Sequence, residues 1–343
     1  MNVQAICFSI AFIVGCAHGA SGQGAITFER TSFPVSEYSQ ALRLPFLGGL
    51  NAPQFWPADL NNDGLADLVV FDRVGDHLLT FINNGTQGDA AYDYAPDYAR
   101  HFPLLLYYFI MRDYNADGAM DIFCASTDPG TNEMQVFRGY FEQDTLKFAT
   151  YLFDYPSCPS CDPRYVFYPS PQPGFWFNLA IANTDIPAVE DIDGDGDLDI
   201  LTFDFIAGGH ILWLRNMSVE KNLGPETLRF ELWDDCWGRF YESGLLPCIS
   251  DLSASPDVCA NAINGPAAVE RQKRHPGSTI LAIDLDGNGL KDLLLGDVSF
   301  DCINALYNNG TNFVAWMNEQ GSGFPQYDTP VKLAQFPAMF YFD

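Results

Sequence analysis

The chain has 343 residues, and its 44 acidic side chains against 17 basic ones leave a formal net charge of −27. So few Lys and Arg exclude nucleic-acid binding, which needs clustered cations against phosphate, and weigh against docking on an anionic membrane surface. With 48% hydrophobic and 15% aromatic residues the chain has the material for a large core rather than the composition of a disordered acidic tail, so the acid must be concentrated locally.

Residues 1–28 contain no Asp, Glu, Lys or Arg. Ile6 to Val14 is an apolar run of signal-peptide length, well short of the roughly 20 residues that span a bilayer. Small residues from Ala17 to Gly22 suit cleavage, so 1–22 reads as a signal peptide. Ile13-Val14-Gly15-Cys16 also resembles a lipobox, in which Cys16 becomes a lipidated N-terminus, and a retained apolar N-terminus is a third reading. Each exports the chain or holds it at a membrane. The expected location is secreted or cell-surface, with a lipid anchor through Cys16 as the alternative. No later segment is long and apolar enough to span, and 23–49 reads as a lead-in strand.

From residue 50 onward one acidic loop recurs four times, at 59–67, 113–121, 191–199 and 284–292. Asp59, Asn61, Asp63, Gly64 and Asp67 precede the apolar run Leu68 to Phe71. Asp113, Asn115, Asp117, Gly118 and Asp121 precede Ile122 to Ala125. Asp191, Asp193, Asp195, Gly196 and Asp199 precede Ile200 to Phe203. Asp284, Asp286, Asn288, Gly289 and Asp292 precede Leu293 to Leu295. Oxygen-only side chains at positions 1, 3, 5 and 9 of a tight loop converge on one point and suit Ca²⁺, which prefers six to eight oxygen ligands at about 2.3–2.6 Å. The backbone carbonyl of position 7 faces inward, at Leu65, Ala119, Asp197 and Leu290. Glycine at position 6 supplies the sharp turn through its free access to positive φ. Solvated acidic turns would not need glycine at one fixed place four times. The expected cofactor is therefore Ca²⁺, about four ions. An EF-hand begins the same way but needs Glu at position 12 and flanking helices. Position 12 here is Val70, Cys124, Thr202 and Leu295, and the flanks read as buried strands.

The repeat extends beyond the loop. Counting 25 residues from each first Asp gives Asn84, Arg138, Asn216 and Asn309, each closing a second apolar segment and, with the glycine after Asn84, Arg138 and Asn309, marking a turn. The Asn84, Asn216 and Asn309 tripeptides also fit the glycosylation pattern, though the turn role suffices. Upstream, Phe55 to Pro57, Leu104 to Met111, Ile186 to Val189 and Thr279 to Ile283 complete each unit. The fold class is therefore all-β, a β-propeller of four-stranded antiparallel blades spanning 50–343, with about four to five blades present.

First Asp residues are 54, 78 and 93 positions apart, against roughly 40–60 for a compact blade. Pro156 to Gly174 and Leu223 to Pro276 read as insertions, where binding function usually sits. Their aromatics, Phe175, Trp176, Phe177, Trp233, Trp237, Phe240 and Tyr241, either pack under the loops or stack on sugar rings or a protein partner. Beyond Cys7 and Cys16, seven cysteines remain. Cys158-Pro-Ser-Cys161 reads as a loop-tying disulfide rather than a Zn site, since no second pair has that spacing. A pair among Cys236, Cys248 and Cys259 is expected, and Cys124 reads as a buried thiol. The final run, Phe336 to Asp343, looks like a strand entering a fifth loop with Asp343 at position 1. The expectation is that this chain is part of a longer polypeptide carrying further blades, the alternative being four blades and a short tail.

These loops and their flanking strands resemble the FG-GAP/VCBS repeat family, the cation-binding propeller blades also found in integrin alpha chains. The resemblance covers roughly 50–343. The segment His275 to Asp284 through Gly296 to Ser299 is similar to the exported VCBS-repeat proteins of Bacteroidetes; the sorting domain that such proteins often carry is not visible. The resemblance implies Ca²⁺ ligation by Asp59, Asn61, Asp63 and Asp67 and their equivalents, and no catalytic residues.

No nucleophile elbow, zinc-protease helix or phosphate-binding glycine loop is present, and His77, His101, His210 and His275 lie at unrelated places in the repeat. The expected function is an exported calcium-binding module for a protein or glycan ligand, acting in adhesion. The alternative is an extracellular hydrolase or lyase whose site is assembled from several blades.

Overall fold

A computed structural model of the chain describes residues 34–42, 44, 47–87, 91–206, 208–242, 247–260, 277–334 and 336–342. The signal segment, Cys7, Cys16, His18, His275 and Asp343 lie outside the described residues. The described residues divide into two units between Gly48 and Gly49. In the first, β1 (Val35–Glu37) and β2 (Gln40–Leu42) pair as an exposed hairpin turned by Tyr38 and Ser39, both at positive φ.

The second unit is a four-bladed β-propeller. Blade 1 comprises β3 (Pro53–Ala58), β4 (Asp67–Asp72), β5 (His77–Asn83) and β6 (Tyr92–Tyr94). Blade 2 comprises β7 (Phe109–Arg112), β8 (Asp121–Ala125), β9 (Met134–Glu142) and β10 (Thr145–Thr150), followed by the hairpin β11 (Phe167–Pro169) and β12 (Trp176–Asn178). Blade 3 comprises β13 (Ala188–Glu190), β14 (Asp199–Phe203), β15 (Ile211–Asn216) and β16 (Phe230–Trp237), followed by the hairpin β17 (Phe240–Tyr241) and β18 (Asp251–Leu252). Blade 4 comprises β19 (Ser278–Ile283), β20 (Asp292–Asp297), β21 (Ile303–Asn308) and β22 (Met317–Ser322). Every blade pairs its strands antiparallel in chain order.

The second strand of each blade explains the apolar runs that follow the loops. β8, β14 and β20 are buried along their whole length. A strand in the middle of a blade is covered on both faces by neighbouring blades, so it needs apolar residues on both sides rather than alternation. The first strands form the inner ring, where side chains cross blade boundaries. Phe109 of β7 meets Trp56 and Phe71 of blade 1 edge-on, at 6.2 and 5.6 Å between centroids. Arg112 pairs with Glu190 of blade 3, donates to the Val189 carbonyl at 3.2 Å and lies 5.0 Å from the Trp56 ring. Ile186 and Ser278 join blades 3 and 4 through a 3.0 Å backbone hydrogen bond.

A fifth segment packs against this ring. Thr279 Oγ1 donates to the Pro337 carbonyl at 2.9 Å, and the Phe340 ring packs on Phe55 and Trp56 at 6.1 and 5.5 Å. Residues 336–341 therefore lie between the inner strands of blades 4 and 1, but the strand expected over Phe336 to Asp343 does not form among the described residues, which pair with no sheet.

Two expectations about the later units change. In blade 2 there is no turn at Arg138-Gly139, because β9 runs on to Glu142 and turns through Gln143 and Asp144. Gly139 serves close approach instead: a Cβ there would lie 2.2 Å from the Met120 carbonyl oxygen. In blade 3 the segment expected as one insertion from Leu223 to Pro276 contains the outer strand β16. Among the insertion aromatics, Trp237, Phe240 and Tyr241 are buried packing, whereas Phe175, Phe177 and Trp233 are exposed. Three disulfides, Cys158–Cys161, Cys236–Cys259 and Cys248–Cys302, tie the irregular segments down, and Cys124 is a buried free thiol.

Candidate metal centre

Each acidic loop joins the first two strands of a blade, and its ninth-position Asp opens β4, β8, β14 or β20. The sixth-position glycines have φ of +82°, +87°, +99° and +87° at Gly64, Gly118, Gly196 and Gly289. An added Cβ would meet nothing within 4 Å at any of the four, so backbone conformation rather than crowding selects glycine. Position 4 is left-handed too, at Asn62, Ala116, Gly194 and Gly287. This path turns amides inward onto the first Asp. Gly64 donates to Asp59 at 2.8 Å, Gly118 to Asp113 at 2.8 Å, Gly196 to Asp191 at 3.1 Å and Gly289 to Asp284 at 2.9 Å.

The ninth-position Asp fastens the loop to the sheet. Asp67, Asp121, Asp199 and Asp292 are all buried. One oxygen accepts the N–H of loop position 2: Leu60 at 2.8 Å, Tyr114 at 3.0 Å, Ile192 at 3.4 Å and Leu285 at 2.8 Å. The other accepts an N–H from the third strand, at 2.7 Å in each case, from Asn83, Gly139, Asn216 and Asn308. Burial pushes these carboxyls up, Asp67 to about 6, Asp121 to about 7 and Asp199 to about 8, with Asp292 also raised. The backbone donors oppose the shift, and the neighbouring loop carboxylates add to it.

Between these two anchors lie the third and fifth positions. In the third loop Asp191, Asp193 and Asp195 bring carboxylate oxygens within 4.8 Å of one another, as do Asp284, Asp286 and Asp292 in the fourth. In the first two loops Asn61 and Asn115 each donate to the following Asp63 and Asp117 at 2.9 Å. Position 7 folds back by donating its N–H to the fifth side chain, from Leu65 to Asp63, Ala119 to Asp117, Asp197 to Asp195 and Leu290 to Asn288. The donor set consists of oxygens only, which fits a hard divalent cation better than a thiophilic one. His210 with Cys236 and Cys259 is close enough for a metal group, but the two cysteines are joined in a disulfide.

Sequence reasoning missed the residues that reach the loops from elsewhere. Arg138 and Arg215 occupy one register position, immediately before the residue whose amide caps the ninth Asp. Arg138 pairs with Asp117 at 3.1 Å and with Glu226 at 2.6 Å. The buried Arg215 pairs with Asp193, Asp195 and Glu220. Counted from the first Asp, Arg138 is 25 residues on and Arg215 is 24, so their common register shows only in the fold, where β9 is displaced by one residue.

The next blade also supports each of the first three loops. Leu146 of β10 donates its amide to the Leu60 carbonyl at 3.1 Å. Glu226 of blade 3 accepts from Asn115 at 3.4 Å, and Asn312 of blade 4 donates to the Asp193 carbonyl at 2.7 Å. Position 2 is correspondingly buried at Leu60, Tyr114 and Ile192. Among the described residues no helix is long and apolar enough to cross a membrane. Comparison with protein-family models finds none that matches the chain, and comparison with curated proteins finds no match either.

Proposed function

We propose that this protein is an exported, calcium-stabilised propeller of the FG-GAP/VCBS type that works as a binding or adhesion module rather than as an enzyme. The observation that carries this reading is one hydrogen-bond plan built four times: first Asp onto the sixth amide, ninth Asp onto two strands, and oxygen side chains between. The proposed ligands are Asp59, Asn61, Asp63 and Asp67, their equivalents in the other loops, and the seventh-position carbonyls. An ion there ties two strands of one blade together, and in the first three loops it also bears on the next blade. Three disulfides support an oxidising compartment, since such bonds persist outside the reducing cytosol. A cleft lined by Tyr168, Phe177, Phe205, Ile206 and Leu232 offers exposed apolar surface to a protein or glycan partner.

Thermal melting tests the reading. For each site a tenfold excess of ion over its dissociation constant adds about 1.4 kcal/mol. Chelator should therefore lower the melting temperature markedly, and Ca²⁺ should restore it in preference to Mg²⁺. An unchanged melting curve removes the metal assignment.

A further inference from the structure

We infer that the third loop holds two divalent cations, with Asp195 shared between them; the inference rests on reading the loops as cation sites. Two carboxylate groups overlap there. Asp191, Asp193 and Asp195 form one, Asp195, Asp197 and Glu220 form the other, and within each group the oxygens lie within 4.8 Å of one another. A carboxylate belonging to both is the arrangement that bridges paired metal ions, which sit about 3.5–4 Å apart.

Asp197 distinguishes this loop. At position 7 the other loops carry Leu65, Ala119 and Leu290, which offer a cation only a carbonyl. The Asp197 side chain is instead folded inward at 6% exposure. Its Oδ2 accepts from the Ser218 hydroxyl at 2.7 Å and the Val219 amide at 3.1 Å. Its Oδ1 is buried without a hydrogen-bond partner. A buried carboxylate oxygen lacking a donor is costly unless a cation meets it.

Charge points the same way. Five Asp of this loop, Asp191, Asp193, Asp195, Asp197 and Asp199, are joined by Glu220 from outside it, six carboxylates in all, whereas each of the other loops supplies three Asp, joined at the second by Glu226. The Arg215 guanidinium touches Asp193, Asp195 and Glu220 and is the single basic group in contact with them among the described residues. One divalent ion with one guanidinium leaves half of that negative charge uncompensated, and a second ion on Asp195, Asp197 and Glu220 removes most of the remainder. All the ligands are oxygens, so the probe of choice is Mn²⁺, a hard cation with a spin signature.

The test uses the full chain with Mn²⁺, counting bound ions by equilibrium dialysis and recording the electron paramagnetic resonance spectrum. Wild type should show a spin-coupled Mn²⁺ pair. Glu220→Gln, a change at the surface, should lower the ion count by one and abolish the coupling. Asp191→Ala should also lower the count by one, and the double variant by two. Asp197→Asn repeats the second-site test, and Glu37→Gln on the exposed β1–β2 hairpin should leave the ion count and the coupled signal intact. If Glu220→Gln leaves both the count and the spectrum unchanged, or if the double variant loses no more than Asp191→Ala, Arg215 alone is the second cation and the inference is overturned. A wild-type count of zero overturns it differently, by removing the cation reading of all four loops; a count of four without coupling leaves that reading standing and sinks only the paired site.

Discussion

Asn312, in the connection between β21 and β22 of blade 4, donates its side-chain amide to the backbone carbonyl of Asp193 inside the third blade's acidic loop, over 2.7 Å. The two residues are 119 positions apart in sequence. The contact makes the loop part of a blade-to-blade joint, as the amide of Leu146 does for the first loop and Glu226 for the second. Asn312→Ala should accordingly lower the free energy of unfolding by about 1 kcal/mol, the net worth of one partly buried hydrogen bond. Asn309→Ala, which removes an exposed bond to Asn318 within blade 4, should change it by less than about 0.5 kcal/mol. Denaturant titration of both variants reads the difference. Equal effects would show that the joint between blades contributes nothing.

Within a loop the first and ninth carboxylates divide the work, so their substitutions should separate. Asp121 is buried and receives amides from Tyr114 and Gly139 on its two oxygens. Asp121→Asn turns an NH₂ group against one of those donors and leaves it unsatisfied, a loss of about 1–3 kcal/mol even with chelator present. Asp113 also accepts amides on both oxygens, from Asp117 at 3.1 Å and Gly118 at 2.8 Å, but both donors are exposed, so water can take over the one that an Asn no longer accepts. Asp113→Asn should therefore leave the chelated protein nearly unchanged and reduce the stabilisation by added Ca²⁺. Melting curves with and without the ion check the pair, and a comparable loss for both variants in chelator would contradict the division.

The loops and inner strands were legible in the sequence because each is local: a fixed run of ligand types around one glycine, then an apolar strand. The propeller followed from counting them. The strand β16 was not legible, because Phe230 to Trp237 mixes acidic and aromatic residues, and its pairing with β15 shifts register between Ile211 and Leu214. Gly139 misled for a similar reason. A glycine after a strand reads as a turn, yet here it lets β9 pass close to the Met120 carbonyl. Contacts from a later blade are illegible on principle, since nothing near Asn115 announces Glu226, 111 residues away. The role of Asp197 was hidden by its position: the repeat assigned position 7 a backbone duty, and only the fold shows its side chain held by Ser218.

The raised carboxyls fix a sign for the pH dependence. Asp67, Asp121 and Asp199 stand at about 6, about 7 and about 8 in the folded chain because burial disfavours their charged forms. In the unfolded chain each returns to about 3.9. Between those values the folded state binds more protons than the unfolded one, so stability declines as pH rises. The contribution is fully present below pH ~3.9 and is lost progressively as pH rises through about 6, 7 and 8. With chelator, the melting temperature should fall steadily between pH 5 and pH 8.5. Saturating Ca²⁺ holds the carboxylates ionised and compensates their charge, so the same titration should become flatter, and the gap between the two curves should widen with pH. Asp199→Asn removes the group with the highest value and should abolish the chelator slope between about pH 7 and pH 8, while at lower pH the slope is reduced but persists through Asp67 and Asp121. A chelated protein whose melting temperature rises over that interval would show that these carboxylates are charged when the fold forms.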